Sequence, residues 1–108
     1  MPKKPALTLA PETLTACRQT GRAIRDARAR RRLTQAQLAE RAGCGVATLR
    51  RVEKGDPGVS YGTMMEVMAV LERDWLGQIA SMVSADPAGH ELERLRLPSR
   101  VFSLSEAF

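Results

Sequence analysis

Residues Thr34 to Gly55 read TQAQLAERAGCGVATLRRVEKG, and this stretch spells two short helices around a tight turn. Thr34, followed three positions later by Gln37, has the form of a capping box. The threonine hydroxyl takes the Gln37 backbone N–H, and the glutamine amide reaches back to Thr34. Leu38, Ala39 and Ala42 then form one inward stripe, and Gly43 supplies the left-handed residue that stops the helix. Gly43 to Gly45 is a turn; a second helix is predicted from about Val46 to Lys54, ended by Gly55. The unit is helix, three-residue turn, helix.

The second helix has two unlike sides. With Leu49 at the centre of the buried face and an advance of about 100° per residue, Val52 and Val46 fall about 60° to either side. Ala47 and Arg51 fall nearly opposite Leu49, with Arg50 and Lys54 beside them and Thr48 on the flank. This outward face is short, cationic and free of acids. It suits a DNA major groove, which admits one helix, offers an Arg fork two acceptors on guanine, and offers small side chains the thymine methyl. Gln35 opens the first helix, where it and the backbone amides are placed to meet a phosphate. Arg30, Arg31 and Arg32 stand just before it and add long-range attraction. The competing interpretation is an exposed polar face on an ordinary small bundle, and the combination of features favours DNA.

Upstream, Leu14, Cys17, Gly21, Ile24 and Arg28 step by three or four residues along one face of a helix that begins near Glu12. Gly21 costs that helix about 1 kcal/mol relative to Ala, so a kink or a late start is expected there. Arg28 lies on an otherwise apolar face and needs a partner. Downstream, Asp56-Pro57-Gly58 is a turn, and Ser60 caps a helix carrying Met64, Val67, Met68 and Leu71. Asp74 opens another helix, with Trp75, Ile79 and Met82 on one face and Leu76 and Val83 beside it. Asp86-Pro87 pairs an N-cap with proline at the first helical position, before a short segment bearing Leu92 and Leu95.

With 108 residues the chain holds one small domain and tails. The expected division is a flexible arm over 1–11, a DNA-binding domain over 12–84 and a C-terminal helix and tail over 85–108. The fold class is all-α. Residues 1–54 carry thirteen Lys and Arg against four Asp and Glu, whereas residues 55–108 carry four against eight. That asymmetry fits a polyanion-facing first half as well as it fits a solvated surface. No apolar run approaches the length of about 20 residues that crosses a bilayer, so no membrane contact is expected. Lys3, Lys4 and two prolines occupy the place where a signal peptide would be apolar. Cys17 and Cys44 fit free thiols in a reducing cytoplasm.

Residues 34–55 resemble the helix-turn-helix core of the phage repressor and Cro class. There Thr-Gln opens the first helix, Leu-Ala packs inward, Gly makes the turn and Glu-x-Gly closes the second helix. The likeness spans about Ile24 to Ile79. It implies a compact lambda-repressor-like bundle of four or five helices, a homodimer, and a palindromic double-stranded operator. It places base reading on Val46, Ala47 and Arg51 and a phosphate and groove contact on Gln35. It also pairs Arg28 with Glu53 as a structural ion pair. Two departures thin the direct readout: Gly45 stands where Ser or Thr usually caps the reading helix, and Val46 and Ala47 replace longer polar readers.

The stripe of Trp75, Leu76, Ile79, Met82 and Val83 either completes the monomer core or forms a two-fold interface with Trp75 as anchor. From Leu71 to Val101, the Trp-Leu, Asp-Pro and LERLRLPSRV elements are similar to tails of HipB-like antitoxins. Such proteins repress their own operon and bind a HipA-like kinase toxin. The end of the chain, with Val101, Phe102 and Phe108, fits a segment that folds on a partner as well as it fits an inert tail. Enzymatic chemistry lacks residues: His90 is the only histidine, neither cysteine has a metal-ligand spacing with it, and no Walker-type loop is present. Cys17 is expected in the core and the turn residue Cys44 more exposed. No cofactor is expected. The sequence therefore points to a transcriptional repressor, either the antitoxin of a toxin-antitoxin operon, a stand-alone phage-type or controller repressor, or an interaction protein that mainly masks an enzyme.

Overall fold

Six helices, α1 (Pro11–Arg30), α2 (Gln35–Ala42), α3 (Val46–Lys54), α4 (Tyr61–Leu71), α5 (Asp74–Ala85) and α6 (Pro87–Arg94), make up the computed structural model, which describes residues 8–96. No strand occurs among the described residues, as an all-α chain requires. Two units can be distinguished, residues 1–77 and residues 78–108.

In the first unit, each helix end has a local chemical cause. Pro11 sits at the start of α1, where its missing N–H costs nothing. Thr34 caps α2 with both halves of the capping box formed: the Gln37 N–H donates to Thr34 Oγ1 at 3.0 Å, and the Thr34 N–H donates to Gln37 Oε1 at 2.8 Å. Gly43 (φ 73°) and Gly55 (φ 80°) end α2 and α3 in the left-handed conformation. Behind each, the chain folds back: the Cys44 N–H donates to the Ala39 carbonyl and the Asp56 N–H to the Arg51 carbonyl, both at 3.0 Å. These are Schellman-type endings. Ser60 Oγ accepts the Thr63 N–H at 3.1 Å to open α4.

The core consists of Ile24 and Ala27 from α1, Leu38, Ala39 and Ala42 from α2, Leu49 and Val52 from α3, and Val67 and Leu71 from α4. α1 packs on α3 and α4, and α2 packs on α3 and α4. Gly21 does not kink α1; the helix runs unbroken. Its bare Cα lets the end of α3 come close: a Cβ there would stand 2.5 Å from the Val52 carbonyl oxygen and 2.8 Å from both the Glu53 carbonyl oxygen and the Gly55 nitrogen. Gly55 returns the approach, since its own Cβ would stand 2.6 Å from Arg18 Cα.

In the second unit, Asp86 caps α6 by accepting the Gly89 N–H at 3.0 Å, ahead of Pro87 at the first helical position. Met82, Val83, Leu92 and Leu95 are all exposed. Among the described residues, no helix is long and apolar enough to cross a membrane.

Candidate nucleic-acid interface

Three elements meet at one carboxylate. Glu53, on the inner side of α3, has a side chain only 4% exposed. Arg28 of α1 grips it as a fork: Nε donates to Oε2 at 2.7 Å and Nη2 to Oε1 at 3.1 Å. Arg28 Nη1 also donates to the Leu33 carbonyl at 2.9 Å, fixing the link into α2. Gln35, the first residue of α2, donates its Nε2 to Glu53 Oε1 at 3.0 Å. The Glu53 hydrogen bond raises the Arg28 pKa further above its ordinary value, so the guanidinium stays charged. Among the described residues, no buried side-chain nitrogen or oxygen lacks a partner. A buried charge this well matched sets the angle between α2 and α3, because any slippage would strand it.

With its inner side fixed by Leu49, Val52 and Glu53, α3 turns Ala47, Arg50, Arg51 and Lys54 to solvent. Thr48 is half-buried on the flank. Val46 is half-buried too and packs against the core. Arg51 is exposed but engaged: its Nε donates to Asp56 Oδ2 at 2.7 Å. That ion pair was not foreseen from the sequence, although Asp-Pro-Gly directly after a helix is the pattern that brings an acid back over the last turn.

Two other positions differ from expectation. The Gln35 amide gives one of its hydrogens to Glu53; Glu53 Oε1 has lone-pair capacity left beside Arg28, and the half-buried start of α2 lies within reach of it. Arg31 is not a free surface cation like its neighbours. Its Nε donates to the Leu71 carbonyl at the end of α4 and its Nη1 to the Ala27 carbonyl, each at 3.0 Å. Its guanidinium lies 5.7 Å from the centre of the Trp75 ring. The free carbonyls at a helix C-terminus attract a cation, and Arg31 answers those of α4. Arg30 and Arg32 are exposed, Arg32 in the left-handed region at φ 55°.

Trp75 is half-buried and packs against the core. In the second unit, Ile79 is half-buried and Met82 is 69% exposed. Val101, Phe102 and Phe108 lie outside the described residues, as does most of the 1–11 arm. Cys44, expected to be the more exposed thiol, packs against the core, and burial pushes its pKa up.

A family model described as a helix-turn-helix domain matches residues 19–80, which is more than half of the chain. No curated protein and no solved structure matches the chain.

Proposed function

Because the chain belongs to the helix-turn-helix domain family, whose members bind DNA and regulate transcription, we propose that it is a sequence-specific repressor that lays α3 in the major groove of a double-stranded operator. The observation that carries this reading is the division of α3: Leu49, Val52 and Glu53 are buried while Ala47, Arg50, Arg51 and Lys54 face solvent. Arg51 and Arg50 supply forks for guanine, and Ala47 supplies a methyl contact. Thr48, Lys54, Arg30 and Arg32 serve phosphates. Gln35 has a second amide hydrogen beyond the one given to Glu53, which suits it to a phosphate at the mouth of the groove.

DNA reading belongs to residues 12–84, around the motif at 34–55, followed by a C-terminal helix and tail over 85–108. Homodimerisation on a palindromic operator follows from the way such folds use paired half-sites. The exposed Met82, Val83, Leu92 and Leu95 favour a protein partner, either a second copy or, as the likeness to HipB-like antitoxins suggests, a HipA-like kinase toxin. Ile79, Val101, Phe102 and Phe108 are assigned to the same partner contact on sequence grounds.

Selection of bound duplexes from a random pool tests the assignment. The expected result is a palindromic consensus on which Arg51→Ala costs about 1–3 kcal/mol and relaxes one base pair per half-site. Unchanged affinity and preference in that variant would remove α3's outward face from the reading role. Co-purification with and without residues 101–108 separates the antitoxin from a stand-alone repressor.

A further inference from the structure

Arg51 reaches solvent with its guanidinium already held. Its Nε donates to Asp56 Oδ2 at 2.7 Å, and its two Nη groups make no hydrogen bond to the described residues. Asp56 is itself fixed. Its N–H donates to the Arg51 carbonyl at 3.0 Å, its Oδ1 accepts the Gly58 N–H at 2.7 Å, and Pro57 restricts its backbone. The carboxylate stands at the C-terminal end of α3, where the helix dipole disfavours a negative charge. An asparagine accepts the Gly58 N–H equally well, so the turn does not demand an acid there. Arg51 Nε engages that charge directly.

Resting on the assignment of α3 as the reading helix, we propose that Asp56 is a positioning residue that sets the sequence selectivity of Arg51. By taking the Nε hydrogen it leaves the Nη edge to meet the O6 and N7 acceptors of one guanine. A side chain held before binding loses less freedom on binding, which strengthens the matched site. The carboxylate's repulsion of phosphates weakens every complex, and only the matched site recovers that loss through the guanine contact of Arg51. Both effects widen the gap between the right sequence and the rest.

The test uses the full chain and Asp56→Asn, measured at one salt concentration on three targets: the selected duplex, its single-base-pair variants and a random duplex. Discrimination at the base pair that Arg51→Ala relaxes is expected to fall about tenfold, while affinity for the random duplex rises. Discrimination at other positions and the thermal midpoint stay unchanged. In an Arg51→Ala background, Asp56→Asn leaves discrimination as it was. Equal tightening on all duplexes overturns the proposal alone, as does discrimination that survives Asp56→Asn but not Arg51→Ala. A uniform loss of discrimination with a lowered thermal midpoint would make Asp56 structural and also overturn it. If Arg51→Ala leaves discrimination intact, the reading-helix assignment falls together with it.

Discussion

Glu53 shows how much a single side chain can hold. Its carboxylate joins α1 through Arg28 and α2 through Gln35 while belonging to α3. Glu53→Ala is expected to cost about 3–5 kcal/mol, because it strands the Arg28 guanidinium at a site only 16% exposed; urea unfolding monitored by circular dichroism reads the loss directly. The Arg28 pKa is raised on folding, so its share of stability is complete below the ordinary arginine range and disappears only as pH climbs through the raised value. Alkali short of that extreme leaves the pair intact. Cys44 behaves differently. Burial raises its thiol pKa, so the folded state favours the protonated thiol, and that contribution is lost as pH rises past the ordinary thiol value and through the raised one. Iodoacetamide at mildly alkaline pH should therefore label Cys44 more slowly in the folded chain than in urea, as peptide mass spectrometry would show. The need for a partner at Arg28 was legible because a charge interrupted an apolar stripe. The seat of Cys44 was not read from its place beside two glycines, but the Schellman ending explains it: the residue after Gly43 folds back over α2 and meets the core.

Helix boundaries were the most legible feature, since each rests on a contact within a few residues of chain. Thr34 with Gln37, Ser60, Gly43 and Gly55 act through neighbours, and such effects leave their mark in local sequence. Thr34→Ala should accordingly cost about 1 kcal/mol in the same unfolding measurement. Gly21 is the counterexample. Propensity alone makes it a weak point in α1, and Gly21→Ala should then gain about 1 kcal/mol. The structure reverses the sign, because the added methyl meets three backbone atoms of the α3 end that no rotamer change can move aside. Overpacking of this kind costs about 1–3 kcal/mol, and with rigid backbone opposite we expect a net loss of about 2 kcal/mol at equilibrium. Nothing in the spacing of residues 11–30 announces this, because the partner atoms lie some thirty positions away in the chain. Arg31 was hidden for the same reason: its hydrogen bond to Leu71 spans 40 positions. Asp56 lies close to Arg51 in sequence, yet only the folded-back chain brings their side chains together.

Across the molecule, charge was readable as a total but not as an arrangement. The cationic first half includes arginines with different work. Arg30→Ala or Arg32→Ala should weaken binding to all duplexes alike and reduce the salt slope by about 0.9 for each phosphate no longer neutralised, measured by titration at several salt concentrations. Arg31→Ala should instead lower the thermal midpoint, since it releases the α4 end and the Trp75 face. The distribution of buried side chains has a further effect. Every buried hydrophobic among the described residues lies between Ile24 and Leu71, and Trp75, which packs on them, also precedes the boundary after Gly77. A 77-residue chain of this kind is within the size that folds alone, so truncation there should preserve a cooperative unfolding transition. Under the proposed function, recombination can then replace the residues beyond Gly77 with an assembly module without rebuilding the part that holds α3. On that reading the same cassette can be tried in new regulators, with the DNA preference proposed for α3 carried along.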